Sequence, residues 1–147
     1  MTTAIKFCDF QVGDSLPDLV RGPITRGTLA LFAGASNDHM LLHIDSDFAK
    51  SAGLPDVFGH GMLSMAYLAQ MLTGCAPQQR LRSWNVRFVA MTPLHATVTC
   101  FGTVTELVDL DGKRCARLRI GARTDQGVQT LDGEAVIGLD DSDQEKL

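Results

Sequence analysis

The stretch that decides the fold is GMLSMAYLAQMLTG, residues 61–74, which contains no charged side chain. Its apolar residues occur on every side of a helix rather than along one stripe, so the stretch predicts a helix that is buried all round. At 1.5 Å per residue this helix would be about 21 Å long, whereas the hydrocarbon core of a bilayer is about 30 Å thick. We therefore expect a central core helix rather than a membrane span.

The segments on either side of this helix indicate an α+β protein. Upstream, Thr25 can cap a helix that ends at Gly34, and a shorter helix is expected over residues 45–52. Downstream, alternating and β-branched residues predict four successive antiparallel strands, with turn sequences at 111–112 and 125–127. The expected strands are residues 84–91, 97–108, 115–124 and 128–139. A sheet wrapped round the long helix would bury it, which is the arrangement of the hot-dog fold.

The composition is that of an ordinary globular protein. The 147 residues are 45% hydrophobic and 20% charged, with a formal charge of -4, so we expect one domain over residues 1–147 with a frayed tail at 140–147. The basic residues are scattered and form no stripe that would follow a nucleic-acid backbone. The four cysteines lack a C-x-x-C pair, and the first residues lack a secretory signal. Free thiols and a cytoplasmic location are therefore expected.

The candidate catalytic residues lie in and after the segment SNDHMLLHID, residues 36–45. Asp38 and His43 stand five residues apart with uncharged residues between them. A carboxylate and an imidazole this close can hold and deprotonate one water, which is the minimum needed to add or remove water. The apolar helix then begins at His60-Gly61. Because a helix start has unpaired N–H groups, we expect the Gly61 N–H to bind a developing oxyanion.

Other residues near this segment have structural as well as functional interpretations. His60 can cap the central helix or contact a substrate, and Ser64 can line a pocket or bond back within its own helix. His39 and His43 stand four residues apart, as metal ligands on a helix would, and Asp45 and Asp47 could add oxygen ligands. Because this segment lacks a helical pattern, we predict no metal site.

Several motifs in order give the chain a resemblance to a known family. They are Val12-Gly13-Asp14, the Asp-x4-His of residues 38–43, Ala49, His60-Gly61-Met62-Leu63, and Asn85-Val86-Arg87-Phe88 followed by Pro93. On these motifs, over residues 7–137, the chain resembles the MaoC-like (R)-specific enoyl-CoA hydratases and 3-hydroxyacyl-thioester dehydratases. Within this family it resembles the small catalytic subunit of mycobacterial-type 3-hydroxyacyl-carrier-protein dehydratases, which work as heterodimers.

The chain departs from the family around the catalytic pair. The usual pattern is Gly-Asp-x-Asn-Pro-(Ile/Leu/Val)-His, and this chain has Asn37 in place of the glycine and Met40-Leu41 in place of Asn-Pro. Loss of the proline removes a residue that fixes φ in the loop. The preorganisation of the loop is therefore expected to differ, although both titratable partners are retained.

The resemblance implies reversible hydration of a trans-2-enoyl thioester to an (R)-3-hydroxyacyl thioester. Asp38 and His43 would activate water, and Gly61 would bind the thioester carbonyl, with His60 and Ser64 as candidate pocket residues. No separate cofactor is implied, because coenzyme A or phosphopantetheine is part of the substrate. The expected partners are an acyl-CoA or acyl-carrier-protein substrate and a second hot-dog chain, identical or paralogous, with no nucleic acid and no membrane.

Two alternatives stay open at this point. A non-catalytic hot-dog subunit would support an active partner, but an inert chain has no chemical reason to retain Asp38 and His43. A hot-dog thioesterase would use a carboxylate on the central helix to activate water against the carbonyl. Residues 61–74 contain neither Asp nor Glu, so hydration is the favoured interpretation.

Overall fold

A five-stranded antiparallel sheet and one long helix dominate the computed structural model, which describes residues 7–140. The sheet contains β1 (Leu19–Arg21), β3 (Leu81–Phe88), β5 (Val98–Leu110), β6 (Lys113–Thr124) and β7 (Gln129–Gly138), in the order β1-β5-β6-β7-β3. A two-stranded sheet pairs β2 (Phe58–Gly59) with β4 (Thr92–Pro93). The helices are α1 (Arg26–Ser36), α2 (Leu41–Ile44), α3 (Ser46–Ser51) and α4 (Gly61–Cys75), and 3-10 turns lie at Phe7–Asp9 and Gln78–Arg80. The α+β prediction is confirmed.

Capping side chains set the ends of the two helices that precede the site. Thr25 caps α1 as predicted, and it also forms a capping box with Thr28. The expected end at Gly34 is wrong, because α1 continues to Ser36 and stops where Asn37 adopts the left-handed conformation. At the start of α3, one carboxylate oxygen of Asp45 accepts the N–H groups of residues 47 and 48.

The strand order differs from a simple succession of neighbours. β5, β6 and β7 form consecutive hairpins, and the first turn places Asp111 and Gly112 at φ 55° and 74°. The preceding strand, β3, pairs with β7 instead of β5. β3 spans Leu81–Phe88, three residues earlier at each end than the expected range of 84–91, and residues 92–93 form β4 against β2. The short strands β2 and β4 carry too few residues to show a periodic pattern and were not predicted.

One side of α4 forms the centre of the hydrophobic core. Leu68 is fully buried, and it shares the core with residues of β6 and β7 that include Leu118 and Leu131. The prediction that α4 is buried all round is wrong for this chain. Met62 is 52% exposed, and Gln70 is also exposed. The physical reason is that a single curved sheet covers only part of the circumference of a helix.

Three further expectations concern the chain as a whole. None of the helices within residues 7–140 has the length and hydropathy that crossing a bilayer requires. All four cysteines are free thiols. The first residue of the expected tail, Asp140, accepts a hydrogen bond from the Arg114 N–H at 2.8 Å. The rest of that tail, residues 141–147, lies outside the described residues.

Candidate active site

The loop between α1 and α2 carries Asp38. The preceding Asn37 has φ 57°, a left-handed conformation that asparagine tolerates better than most residues, so asparagine can stand where the family pattern has glycine. The Met40 N–H donates to Asp38 Oδ1 at 3.3 Å, and the Asp38 N–H donates to Ser36 Oγ at 3.3 Å. These local bonds hold the loop in place although the chain lacks the Asn-Pro pair.

His43 lies on the single helical turn α2, and its ring is oriented by a backbone group. Its Nδ1 is 2.7 Å from the carbonyl oxygen of Phe58, and its ring packs edge-on against the Phe58 ring at 4.7 Å between centroids. Since a carbonyl only accepts, Nδ1 carries the proton in the neutral ring. The other nitrogen, Nε2, therefore has a free lone pair and can act as a base.

An ion-paired clamp supports the strand that presents this carbonyl. Asp56 accepts from the Arg26 guanidinium at 2.6 Å, from the Ser46 hydroxyl, and from the Val57 N–H at 2.7 Å. The hydrogen bonds from Arg26, Ser46 and Val57 hold the pKa of Asp56 well below its usual range. The clamp joins the start of α1, the start of α3 and the entry to β2. Ser46 and Arg26 are 10 and 30 positions away from Asp56 in sequence, so no local sequence motif predicts the clamp.

The candidate catalytic residues line one cavity of about 460 Å³. Asp38, His43 and Gly61 all contribute to its wall. A carboxylate oxygen of Asp38, a ring nitrogen of His43 and a ring nitrogen of His60 lie within 4.8 Å of one another. The remaining wall is mostly apolar and comes from β2, α4, residues 88–92 and the start of β7. A small polar cluster at one side of an apolar cavity is the usual form of a ligand site.

Ser64 and Thr92 supply a second polar element of the same cavity. Both side chains are nearly completely buried, and their hydroxyl oxygens are 3.3 Å apart. The side-chain hydrogen bond of Ser64 thus joins α4 to β4 and does not run back along its own helix. Sequence reasoning did not identify Thr92, because the short strand that carries it has no periodic pattern.

His60 lies behind the cavity rather than in its wall. Only 1% of the residue is exposed, and its side chain makes no capping hydrogen bond to α4. The predicted substrate contact stays a prediction, and the predicted cap is confirmed as a position, since His60 is the N-cap residue of α4, but not as a side-chain hydrogen bond. The reason is that the ring turns inward, where it stacks on His43 at 4.0 Å and packs edge-on against Phe32 at 5.0 Å. Its Nε2 is 3.2 Å from the Asp38 carbonyl oxygen.

Burial of His60 predicts a pH dependence of stability. Desolvation lowers the pKa of this imidazole below its ordinary 6.5, which outweighs the opposite effect of the bond to the Asp38 carbonyl. Below pH 6.5 the unfolded chain therefore binds a proton at His60 that the folded chain does not bind, and stability falls as the pH falls. We expect the melting temperature to drop on acidification from pH 7, and to drop less in the His60→Gln variant. An identical pH dependence in both proteins would contradict this assignment.

Gly61 begins α4, so its N–H has no acceptor within the helix. A Cβ added at this position would lie 2.8 Å from two ring carbons of Phe88. The aromatic ring therefore packs directly on the Gly61 backbone, and a side chain here would displace it. Phe88 also lines the cavity and is 55% exposed, so its ring has room to move.

The close contact at Gly61 gives a testable prediction. We expect Gly61→Ala to lower the free energy of unfolding by about 1 kcal/mol through overpacking. For the hydration of an enoyl thioester that the family resemblance implies, we expect kcat/KM to fall about tenfold, because the Phe88 ring is moved within the site. Adding Phe88→Ala removes the clash, so the double variant should match Phe88→Ala alone. A double-mutant cycle on kcat/KM and melting temperature measures this coupling. Independent, additive effects of the two changes would contradict the proposed contact.

The donors around the cavity fit a metal ion poorly. Asp45, one of the ligands considered from sequence, uses its carboxylate to cap α3, and His39 is exposed. Within residues 7–140, Asp38, His43 and His60 do bring three potential ligands together. The two imidazoles, however, are stacked with 29° between their planes. An ion about 2 Å from a nitrogen of each ring would lie out of the plane of at least one of them, away from its lone pair.

Comparisons with known proteins agree on one family. The family model described as MaoC like domain matches residues 9–125. An (R)-specific enoyl-CoA hydratase from Rhodospirillum rubrum is 30% identical over 116 residues, which cover 78% of each chain.

Solved structures show the same relationship at the level of the fold. R-hydratase PhaJ1 from Pseudomonas aeruginosa superimposes with a TM-score of 0.78 and 25% identity, over 91% of this chain and 84% of the other. The (R)-hydratase from A. caviae involved in PHA biosynthesis gives a TM-score of 0.76 and 26% identity, over 90% and 98% of the two chains. The hot-dog fold expected from sequence is thereby confirmed.

Proposed function

Because the chain belongs to the MaoC-like domain family, we propose that it hydrates trans-2-enoyl thioesters reversibly to (R)-3-hydroxyacyl thioesters. The observation that carries the proposal is the cavity wall, where a carboxylate, an imidazole with a free Nε2 and a helix-terminal N–H meet. These are the three groups that addition of water to an enoyl thioester requires: one to orient the water, one to take its proton and one to stabilise the enolate.

In the hydration direction, Asp38 and His43 hold a water beside C3 of the substrate. His43 Nε2 takes one proton from this water while its oxygen forms the C–O bond at C3. The π electrons of the C2–C3 bond move toward the thioester carbonyl, whose oxygen accepts a hydrogen bond from the Gly61 N–H at the positive end of the α4 dipole. The imidazolium, stabilised by the Asp38 carboxylate, then returns a proton to C2. Dehydration follows the same path in reverse.

The substrate is proposed to contain the group by which the protein holds it, its pantetheine arm. Its acyl part occupies the apolar portion of the cavity, whose rim contains the exposed side chains of Phe88, Val89 and Met91. The pantetheine arm of coenzyme A or of a carrier protein holds the thioester at the mouth, so no separate cofactor takes part. Each step of this mechanism requires only proton transfer and hydrogen bonding by side chains and backbone of this chain.

We further propose that a second hot-dog chain, identical or paralogous, covers the exposed side of α4. The outer edge of β3 is the end of the main sheet, and such an edge is a template for another strand. Beside it, Met62, Met65 and Trp84 line an apolar groove of about 410 Å³ that also reaches Asp38. Pairing of two chains here would cover Met62 and close the site against water. Sedimentation of the purified protein measures its oligomeric state, and a strictly monomeric active protein would contradict the proposal.

The test of function is the loss of enoyl absorbance when the purified protein meets trans-2-enoyl-CoA esters of several chain lengths. Chiral analysis of the product establishes whether the (R) isomer forms, and a thiol reagent added in parallel detects any hydrolysis. We expect consumption of the enoyl group without release of free thiol. Accumulation of thiol would instead support the thioesterase alternative.

A second experiment tests the alternative that this chain is a non-catalytic subunit. The same assay is run with acyl-carrier-protein thioesters and with the protein co-expressed with a paralogous hot-dog chain. Turnover by the protein alone excludes an obligatory support role. If turnover requires the paralogue, the Asp38→Asn substitution in this chain decides which subunit holds the active pair, because a supporting chain would tolerate that change.

A further inference from the structure

His60 makes contacts for which the proposed mechanism has no use. The mechanism employs the Asp38 carboxylate, the His43 ring and the Gly61 N–H, but it needs no second imidazole. Nevertheless His60 lies beside all three groups, with only 1% of its surface exposed. Burial of an imidazole is unfavourable unless its polar atoms are paired, so its contacts call for an explanation.

The hydrogen bond of the ring ties it to the Asp38 loop. The His60 Nε2 lies 3.2 Å from the Asp38 carbonyl oxygen, and since that oxygen only accepts, Nε2 carries the proton. The other nitrogen, Nδ1, is buried and has no hydrogen-bond partner within residues 7–140. Within the described residues, the ring therefore leaves Nδ1 without a hydrogen bond, while Nε2 donates to the backbone of Asp38.

The same ring also packs against two neighbouring rings. His43 stacks on it with 4.0 Å between centroids, and the Phe32 ring packs against it at 5.0 Å. This stacking fixes the ring plane of His43, while the bond from Nδ1 to Phe58 fixes rotation within that plane. Together the two contacts aim Nε2 of His43.

The backbone of His60 completes the set of contacts. His60 is the N-cap residue of α4, and its carbonyl accepts the Leu63 N–H at 3.1 Å. The next residue is Gly61, the proposed oxyanion donor. One residue thus contacts the loop of the carboxylate, stacks on the base and is bonded covalently to the oxyanion donor.

We propose that His60 is a positioning residue that holds Asp38 and His43 in register with the Gly61 N–H. It acts through these neighbours and does not touch the substrate. This role rests on the proposed function, because its effect is on the alignment of the water-activating pair with the bound thioester. Alignment matters steeply, since displacement of a reacting group by about 1 Å can cost about 100-fold in rate.

Two substitutions separate the contacts of the ring. His60→Phe keeps an aromatic ring against His43 but removes the N–H that holds the Asp38 carbonyl. His60→Gln keeps an N–H near the position of Nε2 but removes the ring. Leu68→Ala serves as the control, because Leu68 is fully buried in the same helix and lies outside the cavity wall, so its loss destabilises α4 without touching the pair.

The readouts are kcat and KM for an enoyl-CoA ester together with the melting temperature. We expect His60→Phe to lower kcat by 10- to 100-fold, as about 1 Å of misalignment does, with KM little changed, and His60→Gln to recover much of that loss. Leu68→Ala should lower the melting temperature and leave kcat unchanged below it. Wild-type kcat in His60→Phe, or a fall in kcat that merely follows melting temperature across all three variants, would overturn the role.

A measurement on the unaltered protein covers the case in which His60→Phe fails to fold. Long-range proton–nitrogen NMR reports which ring nitrogen carries the proton. At neutral pH we expect His60 protonated at Nε2 and His43 protonated at Nδ1, and the opposite tautomer at His60 would overturn the proposal. A wild-type protein with no hydration activity would overturn the proposed function and this role with it. Wild-type turnover with an unaffected His60→Phe would overturn the role alone.

Discussion

Replacing His43 by asparagine is expected to lower kcat for hydration by about 10³-fold, within the range of general acid–base catalysis. Asparagine retains an N–H where Nδ1 of the histidine donates to the Phe58 carbonyl at 2.7 Å. It lacks the basic Nε2, so it cannot take a proton from water. Because this proton is in transfer only in the transition state, KM should change little while kcat and kcat/KM fall together.

His39→Asn is the matched control for this experiment. His39 lies in the same segment, but it is exposed and forms no part of the cavity wall. We expect wild-type kcat for this variant. Loss of the enoyl absorbance under saturating substrate gives kcat, and melting temperatures establish that all proteins compared are folded. Wild-type turnover by His43→Asn would remove the imidazole from the mechanism.

Replacing Asp38 by asparagine is expected to have an effect of similar size, about 10³-fold on kcat. The amide oxygen can still accept the Met40 N–H, which donates to Asp38 Oδ1 at 3.3 Å, so the loop should retain its shape. What is lost is the negative charge that orients water and stabilises the imidazolium of His43. Asp47→Asn is the matched control, since Asp47 is exposed on the neighbouring helix α3.

The double variant Asp38→Asn/His43→Asn tests whether the two residues act on one water. A carboxylate oxygen and a ring nitrogen of this pair lie within 4.8 Å, so removal of the second partner should cost little once the first is absent. We expect kcat of the double variant to match that of the slower single variant. Multiplicative losses would show that the residues act separately, and a much larger loss in Asp38→Asn would assign proton transfer to the carboxylate.

Much of the local structure could be predicted because it depends on residues close in sequence. Thr25 caps α1 as expected, and the turn at Asp111-Gly112 has the positive φ angles that its sequence favours. The ends of β3 and α1 could not be placed, because a few residues of periodic pattern do not resolve a boundary. The departure at Met40-Leu41 also looked more disruptive in sequence than it is in the structure, where short-range hydrogen bonds to Asp38 and Ser36 hold the loop.

The sequence by itself determined the long elements, the α+β class and the residues that carry the proposed chemistry, since an apolar helix, alternating strands and an Asp-x4-His motif are all local patterns. Only the tertiary structure decided how those residues are held. The Phe58 carbonyl that sets the His43 tautomer, the Asp56 clamp behind it and the buried ring of His60 join segments 10 to 30 residues apart. A backbone carbonyl has no sequence signature, and whether a histidine turns into the core or toward the cavity depends on packing between elements that local patterns do not encode.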